Sequence, residues 1–421
     1  MVNLKEVLKK QISIISPSES ELKVINGNLK SILAFIGANI KKNNINASIF
    51  VGGSFAKNTL IKKKKYDIDL FVRFDKRYEE SKLASLLSRI VPKNAIKLHG
   101  SRDYYVLKMD NIDFEIIPTI KINKPSEARN VTDLSYFHVN YVSNSIKKNK
   151  KLAEEIRIAK HFIHSSDCYG AESYINGFSG YGVELIVIYY KSFMTFVKAM
   201  TKIKLGKEKL VLDPAKYYKN KQSILQEVNE AKLNSPIVLI DPTFKERNAL
   251  AALSRETFAK FQDVCRRFLK NPSEKFFEIV DREQAIKKKY GKNVIELELL
   301  TNRQAGDIAG TKLKKFYGFF INEVKRYFDV GASEFIYDDT NNKGKILLVV
   351  KQKKEIIFSG PPVEMKERLV EFKKEHKHIK IVKGKAQASE KSISFDNFMN
   401  RFENVKGKII DEMGVSEIKR L

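Results

Sequence analysis

The chain has 421 residues, 43% hydrophobic and 10% aromatic, which is enough to build two or more buried cores. Its 78 Lys and Arg against 50 Asp and Glu leave a formal charge of +28, spread from Lys5 to Lys419; this argues against an ordinary enzyme of small acidic metabolites and for a long polyanion as partner, with binding that weakens in salt. Two widely spaced cysteines, Cys168 and Cys265, give neither a zinc site nor a disulfide framework, and no signal-type apolar core or uncharged membrane span is visible, so a soluble, cytoplasmic protein is expected.

Ser16, Pro17 and Glu19 predict a helix start, and Leu22, Ile25, Leu29, Ile32, Ile36 and Ile40 continue it at helical spacing to about Lys41. After the turn at Asn43 and Asn44, ASIFV predicts a strand entering Gly52-Gly53-Ser54. A short helix is expected from Ala56, a loop at Lys62 to Lys65, and a second strand in KYDIDLFVRF. A helix from Ser81 to Ile90 and a strand pair, YYVLKM and IDFEIIP, turning at Asp110-Asn111, complete a small α/β sheet domain ending near residue 146.

From there to Leu269 the pattern is mostly helical. Ile156, Ala159, Phe162 and Ile163 form one apolar face, and Val183 to Val197 predicts a single, largely buried helix. Gly206, Pro214 and Pro236 interrupt the pattern. IVLIDPTFKERNALAALS leads into a helix through Phe268, and Asn271-Pro272 marks a boundary. In the last third, FEIVD and VIELELL predict strands and TKLKKFYGFFINEVKRYF a basic amphipathic helix. SEFIYDD, KILLVVKQ and EIIFSG predict consecutive strands of one sheet, Pro361 and Pro362 open a helix through Glu375, and HIKIVKG is a further short strand.

Chemistry concentrates in the first domain. Strand side chains alternate with period two, so Asp67 and Asp69 leave the same face while Ile68, Leu70 and Val72 point elsewhere. Hard cations such as Mg²⁺ take oxygen ligands, and two of them roughly 3.5 to 4 Å apart clamp the attacking and leaving oxygens of phosphoryl transfer. The Gly53-Ser54 turn offers N–H groups and a hydroxyl to a phosphate. Glu115 and Asp113 share a face of the later strand, and either would reach a metal. The lysines at 62 to 65 form a solvated loop near enough to draw in a triphosphate or an RNA end.

GGSFAKNTL followed by YDIDLFVRF resembles the signature of polymerase-beta-like nucleotidyltransferases. The later blocks FEIIP, VTDLSYFH, EEIRIAKHFI, DCYGAESYINGFSGYGVELIVIYY, LIDPTFKERNALAALS, RQAGDIAGTKL and FSGPPVEMKERLVEFKKEH resemble, in order, those of archaeal-type (class I) CCA-adding enzymes. The resemblance implies an α+β architecture: a nucleotidyltransferase head at 1–146, a helical neck at 147–271, a body at 272–333 with 386–421, and a tRNA-binding tail at 334–385. It places Glu115 where an aspartate is usual, completing a metal and catalytic set with Asp67 and Asp69 that would hold two Mg²⁺ ions. By the same resemblance Gly53 and Ser54 take the triphosphate, and Lys57 stands where an arginine is common, keeping the charge without the fork. Ser135 replaces a threonine near the nucleotide; His138, Lys160 and Tyr169 contact its ribose or phosphates; Arg247 helps recognise the base. Without the resemblance, Arg247 beside Asp241 and Glu246 is a local ion pair and His138 a structural histidine. The implied reaction is template-independent addition of CCA to tRNA from CTP and ATP, with the acceptor and T arms gripped by shape and phosphate contacts. A homodimer is compatible with it. A polyadenylating transferase and a non-catalytic RNA-binding protein are the rival readings.

Overall fold

The computed structural model describes residues 4–206, 209–376 and 378–421, and the chain divides into two compact units, one up to 171 with 175–279, the other 172–174 with 280–421. The first unit opens with helices α1 (Leu4–Ile15) and α2 (Glu19–Lys42). The cap of α2 is Ser18, not Ser16: its side chain accepts from the Glu21 N–H and the Glu21 carboxylate accepts from the Ser18 N–H. Because α1 runs through Ile15, Ser16 and Pro17 are used up as the connection.

Next come β1 (Ala47–Val51), α3 (Gly53–Ala56), β2 (Tyr66–Phe74), α4 (Leu83–Ser88), β3 (Ile96–Leu98), β4 (Tyr104–Met109) and β5 (Ile112–Ile120). The short helix thus starts at Gly53 and has ended by the residue where it was expected to begin. The five strands form one sheet in the order β1-β2-β5-β4-β3, with only β2 and β5 parallel. Ile68, Leu70 and Val72 of β2 are fully buried with Phe114 and Ile116 of β5 and the apolar stripe of α2. Burying each such side chain contributes about 1.5–3 kcal/mol, so period-two alternation leaves the opposite face of β2 and β5 free for polar groups.

The helical region contains α5 (Ser135–Lys148), α6 (Leu152–Ser165), α7 (Gly180–Tyr190), α8 (Phe193–Thr201), α9 (Lys221–Glu227) and α10 (Arg255–Lys270), with a small sheet of β6 (Leu210–Leu212), β7 (Ile237–Asp241) and β8 (Phe244–Asn248). The expected single helix from Val183 to Val197 is two. Lys191 turns left-handed at φ 63°, and the Ser192 side chain caps α8 by accepting from the Thr195 N–H. An aromatic core of Phe162, Phe178, Phe193, Phe196, Phe261 and Phe268 holds these helices together.

In the second unit, α11 (Arg282–Tyr290), β9 (Ile295–Leu300) and α12 (Asp307–Tyr327) precede β10 (Phe328–Asp338), β11 (Lys343–Gln352), β12 (Glu355–Pro362), α13 (Lys366–Glu375), β13 (Ile379–Val382), β14 (Lys385–Lys391), α14 (Phe395–Glu412) and β15 (Glu417–Arg420). FEIVD is no strand: Ile279 and Val280 are exposed, and Asp281 instead caps α11. Nor do β10, β11 and β12 share a sheet, since the orders are β10-β11-β9-β15 and β12-β14-β13. Pro361 and Pro362 finish the edge strand β12, where a missing N–H is tolerated, and α13 begins only at Lys366.

Candidate active site

The parallel register of β2 and β5 sets Asp67 beside Asp113 and Asp69 beside Glu115. Four carboxylates therefore line one face of two adjacent strands. Asp67 is half-exposed and 3.2 Å from Lys63, and Asp113 lies 2.5 Å from Lys65, so two lysines of the expected solvated loop reach back to the acids. Among the described residues, neither Asp69 nor Glu115 has such a neighbour in ion-pair contact. Burial pushes the Asp69 carboxyl up, Lys57 pulls against it, and Asp67 adds to the rise. Burial and the adjoining Asp69, Asp67 and Asp113 push Glu115 up to about 7.

The turn that follows β1, the strand paired with β2, is shaped to this acid. Gly53 has φ +61°, and a Cβ there would lie 1.6 Å from Asp69 Oδ2. Backbone and carboxylate thus approach as only glycine allows. Gly52 donates its N–H to the Asp69 carbonyl at 2.8 Å, and Ser54 follows on the same turn.

No three His, Cys, Asp or Glu side chains among the described residues are already closed into a metal cage. The donor set nevertheless fits a hard divalent cation. Hard oxygens share one face, burial and their repulsion raise Glu115, and Asp113 Oδ1 is buried without a hydrogen bond among the described residues.

Lys57 and Lys160 do meet, over a carboxylate that sequence reasoning passed by. Glu184 of α7 is fully buried; its Oε2 accepts from Lys57 Nζ at 2.6 Å and its Oε1 from Lys160 Nζ at 2.7 Å and Thr59 Oγ1 at 2.9 Å. Burial alone would raise Glu184, but Lys160 and Lys57 hold it down at about 2. Two ammoniums and one carboxylate leave a net positive charge next to Asp69.

A second cluster gathers His138 and Arg247. Asp241, at the end of β7 and fully buried, lies 2.9 Å from Arg247 Nη1 and 3.0 Å from His138 Nε2, and accepts from the Tyr181 hydroxyl at 3.0 Å. The ion pair of Arg247 with Asp241 is present, but inside a buried network. Tyr181 stacks on His138 with centroids 4.1 Å apart. Ser135 opens α5 one turn before His138, and its loop is pinned by Asp133, which takes both Arg102 Nη atoms and the Ile120 N–H. Tyr169 packs beside His164 and the start of α7, where a Cβ at Gly180 would come within 2.6 Å of its hydroxyl. Asp241 was within reach of sequence reasoning through its hairpin with Arg247; Glu184 and Tyr181, in an apolar helix, were not.

Residues 2–155 match the Second Messenger Oligonucleotide or Dinucleotide Synthetase domain, and residues 154–278 match the second domain of tRNA nucleotidyltransferase. The CCA-adding enzyme of Nanoarchaeum equitans (strain Kin4-M) is 31% identical over 320 residues, 75% of this chain and 76% of the relative. That of Methanocaldococcus jannaschii is 28% identical over 403 residues, 89% of this chain and 85% of the relative. Among solved structures, Cid1 poly(U) polymerase with Mg and 3′-dATP bound superposes with a TM-score of 0.52 at 15% identity, covering 65% of this chain and 98% of its own. That likeness shows a nucleotidyltransferase-type fold. With four carboxylates on paired strands, a glycine turn built against one of them, and this extent of identity, the chain belongs to the CCA-adding enzyme family.

Proposed function

We propose that this chain builds and repairs the 3′-terminal CCA of tRNA, without a nucleic-acid template, from CTP and ATP. The observation that carries the reading is the register that sets Asp69 beside Glu115 against the Gly53 turn. Asp67, Asp69 and Glu115 would hold two Mg²⁺ ions. When bound, the ions supply a lowered pKa at the attacking hydroxyl and positive charge at the leaving oxygens. The tRNA 3′-oxygen forms a bond to the α-phosphorus as the bond to the β-phosphate oxygen breaks; the hydroxyl proton passes to solvent and pyrophosphate leaves. Gly53 N–H, the Ser54 hydroxyl and the ammoniums of Lys57 and Lys160 bind the triphosphate and take up charge on the leaving pyrophosphate. Ser135, His138 and Tyr169 orient the nucleotide and Arg247 faces its base. No protein nucleophile is needed.

The acceptor and T arms would be held by the exposed basic face of α12, where Lys314, Lys315, Lys325 and Arg326 point outward while Leu313, Phe316 and Phe320 are buried, and by the strands of 334–385. We assign head, neck, body and tail to 1–146, 147–271, 272–333 with 386–421, and 334–385. No helix among the described residues is long and apolar enough to cross a membrane. We place the chain in a reducing cytoplasm, where the free, buried Cys168 and Cys265 would stay thiols. The test supplies tRNA lacking CCA with Mg²⁺ and labelled CTP and ATP. Wild type should stop after three additions, and Asp69→Asn should lose incorporation by at least about 10³-fold while still binding tRNA. Open-ended extension with ATP alone would select a polyadenylating enzyme; full turnover by Asp69→Asn would remove the metal role.

A further inference from the structure

Asp241 is surrounded by donors. Its Oδ1 accepts from the Thr243 N–H at 2.8 Å, the Thr243 hydroxyl at 2.7 Å and the Tyr181 hydroxyl at 3.0 Å; its Oδ2 accepts from Arg247 Nη1 at 2.9 Å and faces His138 Nε2 at 3.0 Å. Burial would raise this carboxyl, but the contact with His138, the charge of Arg247 and the Thr243 N–H hold it well below the usual range, so it is ionised. His138 is itself buried, and burial, together with the positive Arg247 and Lys57, keeps its imidazole neutral despite the attraction of Asp241. One proton therefore has two ring nitrogens to choose between.

If it sat on Nδ1, the Nε2 lone pair would face a carboxylate oxygen at 3.0 Å, with only a long 3.4 Å contact from Arg247 to offset the repulsion. On Nε2 it makes a hydrogen bond of ordinary length to an ionised acceptor. Tyr181, stacked on the ring, holds its plane. We infer that Asp241 is a positioning residue that fixes His138 as the Nε2–H tautomer, leaving Nδ1 as an acceptor for a ribose hydroxyl of the bound nucleotide and not for its phosphates. A bare imidazole nitrogen repels phosphate oxygens and accepts only from O–H or N–H. His138 feels the charges of both Arg247 and Lys57; with Arg247 toward the base and Lys57 toward the triphosphate, as proposed above, a ribose would fall between them. The inference rests on the nucleotide-binding reading above but not on CCA as the product.

The experiment uses full-length protein labelled with ¹⁵N-histidine, whose six histidines are few enough to resolve, with His138 assigned from the signal missing in His138→Asn. Wild type should show a pyridine-type Nδ1 and a pyrrole-type Nε2 at neutral pH, and Asp241→Asn should lose that preference. CTP should move Nδ1 upfield and inorganic triphosphate should not. One of 2′-deoxy-CTP and 3′-deoxy-CTP should fail to move it and bind about tenfold more weakly, the loss expected for one hydrogen bond. A pyrrole-type Nδ1 or an imidazolium in wild type, an equal shift with triphosphate, or equal shifts with both deoxy analogues would overturn the inference. The wild-type spectrum decides even if Asp241→Asn does not fold. Polyadenylation in place of CCA addition would sink the product assignment and leave this tautomer untouched.

Discussion

Glu115 and Glu184 are two enclosed carboxylates of the same unit, and their surroundings drive them in opposite directions. Glu115, pushed up by burial and then by Asp69, Asp67 and Asp113, reaches about 7; Glu184, clasped by Lys160 and Lys57 against the effect of its burial, is held at about 2. The first is a negative charge short of a cation, and the second has its cations built in. Their pH dependences are opposite too. Relative to the ordinary value of 4.5, the lowered Glu184 contributes stability above that pH, lost as pH falls through about 2. The raised Glu115 contributes stability below 4.5, lost as pH rises through about 7. An acidic cluster and a pair of buried ammoniums thus both act on Asp69, as the proposed metal and triphosphate roles require.

The sharpest way to break this contrast is Glu184→Ala. Lys57 and Lys160, both buried, would lose their carboxylate, and an uncompensated buried charge costs about 3–5 kcal/mol. Urea unfolding at pH 7 measures it; a loss below about 1 kcal/mol would mean the ammoniums find other partners or water.

Next in size is Glu115→Gln in metal-free protein. At about 1.4 kcal/mol per pH unit, removing the ionisation of Glu115 should stabilise the fold at pH 8 by up to about 3 kcal/mol, less what solvent screens, and by nothing near pH 4.5. Adding Mg²⁺ should reverse the order, because wild type then gains a bound ion that the amide holds weakly. Calorimetric Mg²⁺ titrations of wild type below pH 7, run in buffers of different ionisation enthalpy, should show proton release that Glu115→Gln lacks.

Half of this contrast was legible in the residue order. Period two put Asp67 with Asp69 and Asp113 with Glu115, because burying Ile68, Leu70 and Val72 dictates which face each strand turns inward. What period cannot show is which strands are neighbours, and only the parallel register brings Asp69 beside Glu115. Spacing left the choice between Asp113 and Glu115 open, and it gives no sign that the loop lysine Lys65 reaches Asp113 at 2.5 Å. Glu184 was hidden because a lone acid in GYGVELIVIYY reads as a flaw in an apolar helix, and its two lysines lie 127 and 24 residues away. The break at Lys191 was hidden because a lysine at φ 63° carries no turn signature. Caps, edges and long-range ion pairs depend on what the fold brings near, and hydrophobic spacing does not encode them.

Gly53→Ala tests the contact between the turn and the acid. A left-handed φ of 61° costs a non-glycine residue about 1–2 kcal/mol, a moderate loss of stability. The added Cβ must also displace Asp69 Oδ2, 1.6 Å from where it would sit, so activity should fall much further than stability. Measured side by side, a drop in turnover larger than the unfolding penalty explains would locate the defect at Asp69; proportionate losses would make the glycine merely structural.

The smallest effect should come from Lys63→Ala. Its ion pair with Asp67 spans 3.2 Å with both side chains about half exposed, so it contributes about 0–1 kcal/mol and fades in salt. Removing it should leave unfolding unchanged, yet it frees an Asp67 oxygen that a divalent ion would take. Mg²⁺ should then bind no more weakly than in wild type at high salt, and only slightly differently at low salt, where the lysine's charge repels the ion but also draws in the triphosphate. A large loss of Mg²⁺ affinity on removing this one lysine would mean that Lys63 holds Asp67 in its binding pose, and that the acids facing the solvent are as deliberately positioned as Glu184 is among its lysines.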